Sequence, residues 1–135
     1  MPKVLIVDDD ASFIFMLESR FTEAGYIVET AGNGSQALEK LELFDFDVLI
    51  SDVMMPDMDG MELVKKLRSS TETRDLPVIF LTGSSYYEID VAWRKPELKY
   101  AYLLSKTCGL DELLEKVEAI LRADTGRGPV MRGHE

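Results

Sequence analysis

Short apolar runs of strand length recur along the chain, and longer segments of mixed polarity separate them. The runs cover residues 3–7, 27–30, 47–51, 78–82 and 101–105. Several are nearly continuous in aliphatic residues instead of alternating with polar ones, which is typical of strands that are covered on both faces of a sheet. The pattern therefore predicts five buried strands.

The segments between these runs have apolar residues at helical spacing. They cover residues 11–24, 35–44, 61–69, 86–94 and 110–123. The last has the clearest pattern, with apolar residues at i, i+3, i+4 and i+7. The fourth is the weakest: a capping box of Ser85 and Glu88 precedes it, and Pro96 stops it. Because strands and helices alternate, we predict an α/β fold, a doubly wound five-stranded parallel sheet flanked by five helices.

The length of 135 residues fits one domain. Helical periodicity ends near Ala123, and the following residues, DTGRGPVMRGHE, are rich in Gly and Arg. We expect the domain to cover residues 1–123. Residues 124–135 are expected to form a flexible C-terminal tail or the start of a linker.

Charge and composition exclude several classes of protein. The net charge is −10, with 25 acidic and 15 basic residues, which argues against nucleic-acid binding by this domain itself. No apolar run approaches the length of a membrane span, and the N-terminus lacks the pattern of a signal peptide. The single cysteine, Cys108, fits a reducing compartment, so we expect a cytoplasmic protein without membrane contact.

Polar side chains follow four of the predicted strands. Asp8 and Asp9 follow the first strand, and Asp52, Thr82 and Lys106 stand at the ends of the third, fourth and fifth. Ligands of open parallel sheets bind beyond the carboxyl ends of the strands. We therefore expect these five side chains to converge at one edge of the sheet.

This set of side chains favours chemistry on a phosphoryl group. The carboxylates of Asp8, Asp9 and Asp52 would repel one another when held close together. A hard divalent cation with oxygen ligands, most naturally Mg²⁺, removes that repulsion. Lys106 and Thr82 are suited to phosphate oxygens. An ionised Asp beside Mg²⁺ can attack phosphorus and form an acyl phosphate. The sequence contains no Walker-type phosphate loop.

Four blocks of sequence carry a resemblance to a known family. They are VLIVDDD, DVLISDVMMPDMDG, LPVIFLTG and LLSK. With them the chain resembles, over about residues 3–122, the receiver domain of bacterial two-component response regulators of the chemotaxis-regulator type. The resemblance implies a flavodoxin-like fold with strand order 2-1-3-4-5. It also implies that Asp52 accepts a phosphoryl group from a sensor histidine kinase or phosphotransfer protein.

The resemblance also implies a Mg²⁺ site and its ligands. Asp9 would hold the ion directly and Asp8 through water. The carboxylate of Asp52 and the backbone carbonyl of Met54 would complete the set. Thr82 would hydrogen-bond the phosphoryl group.

Two positions near the proposed site depart from the family pattern. The resemblance implies that Lys106 pairs with the phosphoryl group. Thr107 follows this lysine, at a position where the family usually has proline after a cis peptide bond. A cis bond before a non-proline residue costs about 3–4 kcal/mol, so we expect a trans bond and an altered loop. Leu103 takes the place of the usual switch aromatic, and strand alternation sends Tyr102 to the opposite face.

Other aspartates in these blocks have structural interpretations. Asp10 directly precedes the first predicted helix, where aspartate is a favoured cap. Asp57 and Asp59 are expected to serve as turn and cap residues outside the site.

An aromatic-rich segment, residues 84–106, is the expected contact face for a downstream protein target. Two interpretations stand side by side: the aromatics pack around a short fourth helix, or they form a partner-binding surface. A second copy of the chain, giving a homodimer, is a further candidate partner. The aromatic residues are Tyr86, Tyr87, Trp93, Tyr100 and Tyr102.

The leading functional prediction is a phosphoacceptor signalling domain that switches a partner-binding surface. Such a domain is not an enzyme, because it catalyses only its own phosphorylation and dephosphorylation. One alternative is a pseudo-receiver, a protein-interaction module that does not turn over phosphate. Another is a phosphatase with an Asp nucleophile. Haloacid-dehalogenase-like phosphatases carry a second Asp two residues after the nucleophile, where this chain has Met54.

Overall fold

The computed structural model describes residues 1–53, 55, 57, 58, 60–83 and 100–132, with residues 124–132 described by their backbone alone. Its sheet consists of five parallel strands in the order β2-β1-β3-β4-β5. This arrangement confirms the predicted fold class and strand order. The strands are β1 (Lys3–Val7), β2 (Ile27–Ala31), β3 (Val48–Asp52), β4 (Val78–Thr82) and β5 (Ala101–Ser105).

Four helices lie within the described residues, α1 (Ala11–Glu23), α2 (Gly34–Leu43), α3 (Gly60–Arg68) and α4 (Leu110–Arg132). The remaining predicted helix, residues 86–94, lies outside them. The last helix ends at Arg132 and not near Ala123 as its apolar periodicity indicated. Each residue added to an existing helix contributes one backbone hydrogen bond, so a helix can continue past the end of its apolar periodicity. The role of residues 124–135 as a tail or linker stays a prediction.

The central strands β1, β3 and β4 are covered on both faces of the sheet, which explains why they are almost continuously apolar. In β1, Leu5 and Val7 belong to one core layer, with residues of α2 and α3. Val4 and Ile6 belong to the other layer, with residues of α1 and α4. Both layers form by simple alternation along each strand. None of the helices in the described part of the chain is long and apolar enough to cross a membrane.

The N-termini of α1 and α2 are fixed by side-chain caps. The carboxylate of Asp10 accepts hydrogen bonds from the backbone N–H groups of Ser12 and Phe13. The side chain of Asn33 accepts one from the N–H of Gln36. These caps satisfy donors that a helix leaves unpaired in its first turn. Since both helices begin just after a strand ends, the caps lie at the same edge of the sheet as the carboxyl ends of β1 and β2.

Candidate functional site

Three aspartates converge at the carboxyl edge of the sheet. Asp8 and Asp52 are buried, with 2% and 7% of their surface exposed, whereas Asp9 is exposed. One carboxylate oxygen from each of the three lies within 4.8 Å of the others. Thr82, at the end of β4, is 1% exposed. These carboxylates come together because β1 and β3 are neighbours in the sheet. Asp8 and Asp9 directly follow β1, and Asp52 ends β3.

Lys106 forms ion pairs with two of the three carboxylates. Its Nζ lies 2.9 Å from Oδ2 of Asp8 and 3.1 Å from Oδ2 of Asp52. The same Nζ lies 4.9 Å from the centroid of the Phe13 ring, a cation–π contact. The fifth strand therefore delivers a positive charge to the acidic cluster, with an aromatic ring against it.

These contacts shift two pKa values. Burial, and to a smaller extent the charge of Asp52, raise the pKa of Asp8. Together they outweigh the hydrogen bonds that the N–H of Asp10 and the Lys106 ammonium donate, and the charge of Lys106. Burial lowers the pKa of Lys106, but its hydrogen bonds to Asp8 and Asp52 outweigh that effect and raise it. Lys106 is thus held protonated. The ionised form of the buried Asp8 carboxylate is stabilised by a cation beside it.

The three consecutive aspartates have separate structural roles. The N–H of Asp10 donates to Oδ1 of Asp8 at 2.9 Å, which fixes the Asp8 carboxylate at the end of β1. The side chain of Asp10 is occupied at the first turn of α1, as its position before that helix indicated. Of these three consecutive aspartates, only Asp8 and Asp9 join Asp52 in the acidic cluster.

The loop between β3 and α3 is held closely against the end of β3. The N–H of Gly60 donates to the carbonyl oxygen of Val53 at 2.7 Å. A Cβ at position 60 would lie 2.8 Å from the carbonyl oxygen of Asp52 and would overlap the edge of the Phe80 ring. Only glycine fits at this point, which accounts for the Gly of the MMPDMDG block. Met54, Pro56 and Asp59 lie outside the described residues.

Asp57 fastens this loop to α2. Its carboxylate accepts hydrogen bonds from the N–H of Gly34 at 3.2 Å, the N–H of Ser35 at 3.1 Å and Oγ of Ser35 at 3.0 Å. Desolvation raises the pKa of Asp57, but these hydrogen bonds together outweigh it and lower the pKa. A turn or cap role was expected for Asp57, but a cap to a helix that begins more than twenty residues earlier in the chain was not.

The loop after β5 has the expected trans peptide bond between Lys106 and Thr107. Leu103 packs in the core layer of α2 and α3. Tyr102 packs in the opposite layer, where Nζ of Lys116 lies 4.8 Å from its ring centroid. Tyr102 therefore does not occupy the position of the switch aromatic.

Phe13 is a residue of the site that the sequence pattern did not single out. It lies in the first turn of α1, where a partly buried aromatic is ordinarily read as a core residue. Its contact with Lys106 joins α1 to the loop after β5, and no local pattern of the sequence signals it.

The cluster fits a hard divalent cation. Carboxylate oxygens are the ligands that Mg²⁺ prefers, and three of them lie close enough together to share one ion. The exposure of Asp9 leaves a solvent-facing side to the cluster, where a phosphate-bearing molecule can approach. Such an arrangement can bind an anion through a cation and the Lys106 ammonium, and it can present Asp52 as a nucleophile.

Known proteins that are similar to this chain include response regulators. The family model of the response regulator receiver domain matches residues 4–118. Response regulator MprA of Mycobacterium ulcerans is 37% identical over 120 residues, which make up 89% of this chain and 50% of that protein. The chain thus spans about half the length of the MprA relatives it matches.

Solved structures with a similar fold include two response regulators. Chemotaxis protein CheY4 of Vibrio cholerae is 36% identical with a TM-score of 0.81, covering 89% of this chain and 98% of that chain. Response regulator TrrA of Thermotoga maritima, solved in complex with Mg²⁺ and BeF, is 32% identical with a TM-score of 0.76, covering 89% of this chain and 99% of that chain.

Proposed function

This chain belongs to the response regulator receiver domain family, and on that premise we propose that it is the phosphoacceptor of a two-component system with Asp52 as the acceptor. The observation that carries the proposal is the site itself. Asp52 stands at the end of β3 with two further carboxylates within 4.8 Å and the Lys106 ammonium at 3.1 Å. The donor is a sensor histidine kinase or a phosphotransfer protein.

Mg²⁺ is the cofactor of the proposal. Asp8, Asp9 and Asp52 would hold it, and the backbone carbonyl of Met54 would be a fourth ligand. The bound ion supplies positive charge that offsets the repulsion of the carboxylates and polarises the oxygens of the incoming phosphoryl group. The complex of TrrA with Mg²⁺ and BeF supports this choice of metal.

The residues of the chain have distinct parts in the transfer. A carboxylate oxygen of Asp52 attacks phosphorus and forms the new O–P bond, while the N–P bond of the phosphohistidine breaks and its electron pair stays on the imidazole nitrogen. Lys106 pairs with the negative charge that arrives with the phosphoryl group. The hydroxyl of Thr82 donates a hydrogen bond to a phosphoryl oxygen.

The product is a signal and not a released metabolite. We place the domain in the cytoplasm, where it catalyses only its own phosphorylation and dephosphorylation. The acyl phosphate shifts a surface that a downstream protein reads. The face proposed for that partner, residues 84–106, lies for its larger part outside the described residues. Its test is the change in NMR chemical shifts on adding beryllofluoride and Mg²⁺, and unchanged shifts across that segment would refute this choice of surface.

The proposal is tested with the purified chain, acetyl phosphate and intact mass spectrometry. With Mg²⁺ the wild type gains one phosphoryl group, and with EDTA it gains none. The Asp52→Asn variant gains none in either condition. Asp45→Asn, an exposed aspartate outside the cluster, behaves as the wild type. A wild type that gains no phosphoryl group under any condition is a pseudo-receiver.

A further inference from the structure

The turn after β5 is closed by two hydroxyl side chains. The Oγ of Ser105 accepts a hydrogen bond from the N–H of Thr107 at 3.1 Å and lies 2.7 Å from Oγ1 of Thr107. The carbonyl oxygen of Ser105 also accepts one from the N–H of Cys108 at 3.0 Å. A serine hydroxyl that bonds the backbone two residues later is a recognised way to hold a tight turn.

Lys106 is the residue inside this turn. Its own N–H donates to the carbonyl oxygen of Thr82 at 2.9 Å, which extends the pairing of β4 and β5 by one residue. The backbone of Lys106 is therefore fixed on one side by β4 and on the other by the hydroxyl pair of Ser105 and Thr107.

A fixed backbone matters for this particular side chain. Lysine carries its charge on a flexible four-carbon stem. Within the site its Nζ must reach two carboxylates at once, at 2.9 and 3.1 Å. The Phe13 ring bounds its position from the side of α1. A turn that shifted would leave the stem long enough to reach one carboxylate but would change the geometry at the other.

We propose that Ser105 and Thr107 are positioning residues whose paired hydroxyls hold the turn and thereby aim Lys106 at Asp8 and Asp52. Thr107 stands where the family pattern has proline after the lysine, so the chain uses the hydrogen bonds between Thr107 and Ser105 in place of a rigid ring. The proposal rests on the proposed phosphoacceptor function for its effect on rate. Its structural part concerns the position of the Lys106 amine and can be measured without phosphorylation.

The first test compares rates of phosphorylation by acetyl phosphate with Mg²⁺. Ser105→Ala removes both hydroxyl contacts, and Thr107→Val removes one while keeping the shape of the side chain. We expect Ser105→Ala to be roughly tenfold slower than the wild type, since a misplacement of about 1 Å can cost about a hundredfold. The rate of Thr107→Val should fall between those of the wild type and Ser105→Ala. Thr107→Ser keeps the hydroxyl group and should retain the wild-type rate. The matched control is Thr71→Val, an exposed threonine outside the site, with an unchanged rate.

A double-mutant cycle separates positioning from general damage. If the hydroxyl pair acts through Lys106, Ser105→Ala causes no further loss once Lys106 is replaced by methionine. Losses that add in the double variant would overturn the proposal, because the hydroxyls would then act independently of the lysine.

The second test measures the accessibility of the Lys106 amine by acetylation with acetic anhydride and peptide mass spectrometry, with exposed Lys65 as the internal reference. In the wild type, Lys106 should react more slowly than Lys65, and Ser105→Ala should raise its relative reactivity several-fold. Unchanged reactivity would overturn the proposal even if the wild type is phosphorylated. A wild type that is not phosphorylated, with reactivity that still rises in Ser105→Ala, refutes the phosphoacceptor function and leaves the positioning role standing.

Discussion

Replacing Lys106 by methionine removes the ammonium group that lies 2.9 Å from Asp8 and 3.1 Å from Asp52. Removing one partner of a fully buried ion pair costs about 3–5 kcal/mol, because the remaining charge is left without compensation. The lysine side chain is 25% exposed, whereas that of Asp8 is 2% exposed, so water screens part of the interaction. We therefore expect Lys106→Met to lower the free energy of unfolding by about 2 kcal/mol at neutral pH in EDTA.

The assay is urea unfolding of both proteins in EDTA and in excess Mg²⁺. A ligand that binds only the folded state stabilises it by an amount that grows with the ratio of its concentration to its Kd. Since the cation takes over the neutralisation that the lysine provided, Mg²⁺ should stabilise Lys106→Met more than the wild type. The matched control is Lys40→Met. Its pair with Glu29 is equally short, at 2.9 Å, but both side chains are about a third exposed, so its loss should stay below about 1 kcal/mol and not depend on Mg²⁺.

Two results would refute this reasoning. If Lys106→Met is as stable as the wild type in EDTA, the ion pairs do not offset the repulsion between the carboxylates. If Lys106→Met loses the same free energy of unfolding with and without Mg²⁺, the lysine and the metal do not neutralise the same negative charge.

Three further predictions concern residues around the site. Gly60→Ala should cost about 1–3 kcal/mol in urea unfolding, because the new methyl group overlaps the Phe80 ring; unchanged stability would show that the ring moves aside. Asp57→Ala should be less stable than the wild type above about pH 3.8, and the difference should vanish as the pH falls through the lowered pKa of this carboxylate; a difference that persists in acid would contradict the cap to α2. In fluorescence titrations, Asp9→Ala should weaken Mg²⁺ binding at least about tenfold, whereas Asp10→Ala should leave it unchanged and cost about 1 kcal/mol of stability as a lost helix cap. Equal losses of affinity in both would exclude separate roles.

The centre of the sheet could be predicted from the sequence because β1, β3 and β4 are buried on both faces. Such strands must be aliphatic along their whole length, and β1, β4 and β5 begin and end where the apolar runs do. The convergence of Asp8, Asp52 and Lys106 followed from topology alone, since parallel strands bring their carboxyl ends to one edge.

Contacts that depend on side-chain direction and loop geometry could not be predicted in this way. The carboxylate of Asp57 reaches the first turn of α2 only because the two loops are adjacent in space, and no local pattern encodes that distance. The ring of Phe13 beside Lys106 and the hydroxyl pair of Ser105 and Thr107 are likewise tertiary contacts. Apolar periodicity marks only the amphipathic part of a helix, so it placed the end of the last helix before Arg132.

The most direct measurement of the central claim is the position of the phosphoryl group. Sodium borohydride reduces the acyl phosphate of an aspartate to homoserine, which peptide mass spectrometry locates in the sequence. After treatment with acetyl phosphate and Mg²⁺, we predict homoserine at position 52 and unmodified aspartate at positions 8 and 9. Homoserine at position 8 or 9, or at none of the three, would contradict the assignment of Asp52 as the phosphoacceptor.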